Sequence, residues 1–119
     1  MFIKDKKYRA SFKQMHLHKC WLTNCYFTEF GSHSITGCHI TLGRYARGMK
    51  PSDDLIIPLR QDMHLQMDVN QKEFLELNCE NFPPILRDLA IDKVGEDDAI
   101  EIVKQMARNY YQEWKAANS

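Results

Sequence analysis

The spacing of apolar residues divides the chain into short segments of different period. Tyr8, Phe12 and Met15 recur at helical steps, which predicts a short helix over Tyr8 to Met15. His16 to Leu22 has no such period and reads as an extended or turn segment. Ile35 to Ile40 is rich in β-branched residues and predicts a strand. Gly43 to Asp54 holds two Gly, a Pro and two Asp, the composition of a loop. Leu55 to Leu59 predicts a short apolar strand, and Pro58, with no backbone N–H, requires that it end there or lie on an edge. Met63, Met67, Phe74 and Leu77 predict a helix from Gln61 to about Leu77, with a break near Val69-Asn70. Pro83-Pro84 stops it, and Pro84 suits the first turn of a further helix, Ile85 to Ile91. Ala99, Val103, Met106, Tyr110 and Trp114 mark a C-terminal helix. Glu96, Asp97 and Asp98 sit at its start and Lys115 at its end, as the helix dipole favours. No internal repeat interrupts this order.

The sum is a small α+β chain, and composition agrees with it. At 119 residues and 44% hydrophobic, the chain supports one domain with its own core. No apolar run approaches a membrane span, and the N-terminus lacks the apolar region of a signal peptide, so a cytosolic protein is expected. In that compartment the four Cys are read as reduced thiols or metal ligands. Sixteen basic residues balance sixteen acidic ones, which argues against a long nucleic-acid track over the whole surface. The balance is uneven along the chain. Lys4, Lys6, Lys7, Arg9 and Lys13 face a single acid, Asp5, and Arg44, Arg47 and Lys50 face none, while the second half is acidic.

Candidate chemistry lies between Gly37 and Asp68. His39 ends the first predicted strand, and His64 and Asp68 share a helix face four residues apart. A neutral imidazole takes a proton from water near neutral pH. An imidazole and a carboxylate together hold a divalent ion that offsets charge on a reacting phosphate.

At these residues the chain resembles the HNH (ββα-metal) nucleases, and among them the phage recombination-enhancement, RecA-dependent type with its prophage relatives. The likeness covers roughly residues 4–75. It rests on Lys4-Asp5-Lys6-Lys7-Tyr8, the pair Cys20 and Cys25, Cys38-His39-Ile40, Gly48-Met49-Lys50-Pro51-Ser52-Asp53, and Pro58-Leu59 through His64. The resemblance implies a two-stranded ββα-metal core with added N- and C-terminal helices. A single HNH-like domain spans 1–119, with its core at about 16–77 and a helical extension at about 84–117. It implies a DNA endonuclease that uses one Mg²⁺ or Mn²⁺. His39 matches the general base, His64 the helix metal ligand, and Asp68 a further ligand. Asp54 takes the place of the residue that orients the base, with Asp53 as the other candidate. Arg44, Arg47 and Lys50 would steady the DNA backbone. The implied partners are DNA and a recombinase filament or another host protein, in the cytoplasm of a bacterial host and away from membranes.

The chain also departs from the pattern. Arg60 and Met63 stand where relatives place zinc ligands, which leaves Cys20 and Cys25 as a vestige and predicts no structural zinc. Two other readings follow. One keeps the fold without the chemistry, as a phage protein that binds or inhibits a host protein or binds DNA. The other is a zinc-held module built on His16, His18, Cys20 and Cys25. Each residue also has an ordinary structural use. Asp53 and Asp54 suit a turn, His64 and Asp68 a solvated helix pair, Cys38 a buried position, and Met63, Met67, Tyr110, Tyr111 and Trp114 a core.

Overall fold

The computed structural model describes residues 3–14, 17–24, 35–41 and 52–118. Among them are five α-helices and one two-stranded sheet. The Asp5 carboxylate caps the first helix, α1 (Lys6–Ser11), by accepting from the Tyr8 N–H. The cap starts the helix two residues before the apolar pattern does, and the helix ends at Ser11 rather than near Met15, which lies outside the described residues.

Strand β1 (Ile35–His39) runs antiparallel to β2 (Ile56–Arg60), with Gly37 opposite Pro58 and His39 opposite Ile56. Both strands are edges, so Pro58 is accommodated inside β2, and its carbonyl accepts from the Trp21 N–H. The expected loop before β2 closes as a 3₁₀ turn, Asp53–Leu55. Alternation gives the sheet two chemically distinct faces. Thr36, Cys38, Ile57 and Leu59 point one way; Gly37, His39 and Ile56 point the other. A Cβ on Gly37 would sit 2.9 Å from Ile56 Cγ2 and 3.0 Å from the Phe12 ring, so only glycine lets α1 approach this second face.

The break expected near Val69-Asn70 is present. Helix α2 (Gln61–Val69) stops, and Asn70 caps α3 (Gln71–Asn78) by accepting from the Glu73 N–H at 3.2 Å. Pro84 opens α4 (Pro84–Val94), and Gly95, at φ 87°, ends it in a conformation that favours glycine. Asp98 caps α5 (Ala99–Ala117), the longest helix described.

One apolar cluster joins Cys20, Cys38, Ile57 and Leu59 to Met67, Phe74, Leu75, Phe82, Val103 and Met106, so α5 shares the core of the strands and α2. A smaller aromatic cluster joins Tyr8, Phe12, Ile56 and Tyr111 on the α1 side. Tyr110 packs against Trp21, and Trp114 against Tyr8, so the aromatic stripe of α5 is core. None of the described helices is long and apolar enough to cross a membrane.

Candidate functional site

His39 closes β1, and its backbone is fixed from α3. The Gln71 amide donates to the His39 carbonyl at 3.0 Å, while its oxygen accepts from the Thr41 N–H at 2.7 Å. The ring is fixed from the 3₁₀ turn: Nε2 lies 3.0 Å from Asp53 Oδ1. A carboxylate only accepts, so Nε2 carries the proton and Nδ1 of the neutral ring presents its lone pair. The His39 side chain is 29% exposed and that of Asp53 is 6%.

Asp53 is held from three sides. Besides His39, it accepts from the Asp5 N–H at 2.7 Å and from Arg9 Nε at 3.0 Å. The N-terminal segment is laced to the same turn: the Ile3 N–H donates to Ser52 Oγ, and the Asp53 N–H donates to the Ile3 carbonyl. A buried carboxylate with three donors is a satisfied anion that orients an imidazole. Asp54, the first choice for that role, is turned elsewhere. It accepts from Ser52 Oγ and lies 3.9 Å from Arg108 Nε. Successive residues of a 3₁₀ turn point about a third of a circle apart, so only one of the two acids reaches His39.

His64 is set by a different device. Its Nδ1 lies 2.8 Å from Thr36 Oγ1, and that hydroxyl also lies 3.2 Å from the Leu59 carbonyl. The hydroxyl has one hydrogen and the carbonyl can only accept, so Thr36 donates to Leu59 and accepts from Nδ1–H. Nε2 then presents a lone pair, 3.6 Å from Asp68 Oδ2. Two ligands each about 2.1 Å from one small cation are about 3 Å apart in an octahedral shell and about 3.4 Å in a tetrahedral one, so His64 and Asp68 would close by a few tenths of an ångström to share an ion. A hard cation commonly completes such a shell with water and substrate phosphate. No group of three or more His, Cys, Asp and Glu is gathered for a metal among the described residues.

Strand alternation separates the two histidines. Thr36, which holds His64, and His39 lie on opposite faces of β1. Cys38 shares the Thr36 face, but its thiol is fully buried, and burial pushes its pKa up, so it stays protonated.

His18, one of the four residues of the zinc-held alternative, is engaged elsewhere in the fold. That ring is buried and stacked on Phe12, with Nε2 2.8 Å from Ser11 Oγ and Nδ1 2.7 Å from the Tyr110 hydroxyl. Both nitrogens are occupied, and burial lowers its pKa to about 4. Cys20 Sγ accepts the N–H groups of Thr23 and Arg60, and the Arg60 guanidinium forms a two-point pair with Asp62 at 2.7 Å. Cys25 and His16, like Arg44, Arg47 and Lys50, lie outside the described residues.

Thr36, Gln71 and Arg9 were not singled out from the sequence as site residues. The only signals were the β-branched hydroxyl two residues before Cys38, the polar residue that follows the helix break, and the basic run at the N-terminus. Comparison with family models, curated proteins and solved structures finds no match.

Proposed function

We propose that this chain is a metal-dependent DNA endonuclease on an HNH-like ββα frame, of phage or prophage origin. The observation that carries this reading is the His39–Asp53 pair, an imidazole aimed by a buried carboxylate at a partly open strand end. In it, His39 Nδ1 takes a proton from the water that attacks phosphorus, and Asp53 stabilises the imidazolium so formed. His64 and Asp68, set from the other face of β1, would hold Mg²⁺ or Mn²⁺; such an ion supplies charge neutralisation when bound, and this reading requires that the substrate bring it to the His39 side. Thr36 keeps the His64 lone pair turned outward for that purpose. The substrate is DNA, in the cytoplasm of a bacterial host. A recombinase filament or another host protein would deliver it, consistent with a chain of zero net charge.

Plasmid nicking with Mg²⁺ or Mn²⁺ tests the reading. Wild type is expected to nick, and His39→Ala to slow nicking by about a hundredfold or more. No nicking by wild type, or equal nicking by His39→Ala, overturns it.

A second reading keeps the fold as a binding or inhibitory module without hydrolysis. That His39 and Thr36, which holds His64, lie on opposite faces of β1 favours it. It predicts no calorimetric Mn²⁺ signal, and nicking at the background rate in wild type and His39→Ala alike.

A further inference from the structure

Helix α1 carries a charge pattern that its packing does not use. Tyr8, Ser11 and Phe12 turn inward and are buried. Lys6 and Arg9 lie on the opposite side of the helix, and Lys13 follows in the turn after it, all exposed, with exposed Lys4 and Lys7 beside them. The one acid of the segment is turned away from this face. Asp5 caps Tyr8 and accepts from the Tyr111 hydroxyl at 2.8 Å. Burial raises its pKa, but those hydrogen bonds outweigh it and hold the carboxyl below its ordinary value. The neighbouring carboxylates are also spent inside. Asp53 has three donors, and Asp54 turns to Ser52 and Arg108. The outward field of α1 is therefore positive although the whole chain is neutral.

Arg9 ties this face to the site. Its Nε pairs with the carboxylate that holds His39, and its side chain is still 49% exposed. At helical rise Lys6 to Ser11 spans roughly 8 Å, and the turn sets Lys13 just beyond, the axial length of about two to three phosphates of one strand. Between residues 4 and 14 the exposed positions are Lys4, Lys6, Lys7, Arg9, Ala10, Lys13 and Gln14, with no large apolar side chain to enter a bilayer.

We infer that the outer face of α1 and the turn that follows it form the docking surface for a nucleic-acid backbone, with Lys6 and Lys13 on phosphates and Arg9 joining that track to His39. Only the link to His39 rests on the hydrolytic reading above.

The test is anisotropy of a labelled random duplex of about 30 base pairs in EDTA, over about 50–200 mM salt. Wild-type affinity is expected to fall with salt. Lys6→Gln/Lys13→Gln should weaken binding about tenfold at the low end and reduce the log–log salt slope by about two. Lys72→Gln, an exposed lysine on α3, should match wild type. Unchanged affinity and slope in the double variant overturn the inference, as does tighter binding to phosphatidylserine vesicles than to DNA. If the double variant loses binding while wild type nicks nothing, the surface stands and the hydrolytic reading alone falls. If wild type nicks but the double variant binds DNA unchanged, the reverse holds.

Discussion

The Asp53 carboxylate meets the His39 imidazole at 3.0 Å, and the same carboxylate accepts from Arg9 and from the Asp5 backbone. The two adjacent acids are therefore not equivalent. Asp53→Asn is expected to lower nicking about a hundredfold and to cost roughly 2–3 kcal/mol of stability, because charged hydrogen bonds to a buried group are lost. Asp54→Asn should leave nicking within about threefold of wild type. Nicking rates and urea melts of both variants check the pair, and equal loss of nicking in the two variants sinks the assignment.

Thr36 should matter to metal affinity without touching the ion. Its hydroxyl fixes the His64 ring at 2.8 Å. Thr36→Val keeps the β-branched shape and is expected to weaken Mn²⁺ binding by roughly 10–100-fold, with His64→Ala weakening it further. Titration calorimetry at neutral pH reads both, and a Thr36→Val protein that binds Mn²⁺ like wild type contradicts the role.

Gly37 is a packing requirement. Gly37→Ala places a methyl 2.9 Å from Ile56 Cγ2, closer than real Cβ atoms come, and in tight contact with the Phe12 ring, so these side chains must shift. The loss should be about 1–3 kcal/mol, read from the urea midpoint. An unchanged midpoint would mean that α1 lies further from the sheet.

His18 gives the fold a pH dependence of known sign. Burial lowers its pKa from 6.5 to about 4, so the unfolded chain takes up a proton that the folded chain refuses. Its contribution to stability is complete above pH 6.5 and is lost as pH falls towards 4, by about 3 kcal/mol over the window. His18→Phe should be less stable at pH 7 and should lose less between pH 7 and 4.5 than wild type does. Parallel stability curves for the two proteins would rule this out.

Much of the fold was legible because it rests on local chemistry. The helix break at Asn70, the proline-led start of α4 and the amphipathic stripe of α5 each follow from residues a few positions apart. The start of α1 was missed because Asp5 caps it ahead of the first apolar residue. Within the site, His39 at a strand end was legible. Its partner was not, since the choice between Asp53 and Asp54 depends on a 3₁₀ turn that a Pro-Ser-Asp-Asp sequence does not specify. The separation of His39 from His64 depends on the pleat of β1, where a shift of one residue exchanges the two faces. Arg9 reaches the site only through tertiary packing.

The lacing of the N-terminal segment bears on how the molecule assembles. The bonds from Ile3 to Ser52, Asp5 to Asp53 and Asp5 to Tyr111 span 49, 48 and 106 residues of sequence. Each closes a long loop, whose entropy is lost before the contact contributes. The surroundings of His39 should therefore form late in folding and open early in local fluctuations, well before the α4–α5 pair. Amide hydrogen exchange at Ile3 and Asp5 would then run faster than at Val103 or Met106, and the aim of the imidazole would be among the first features of the native state to be lost.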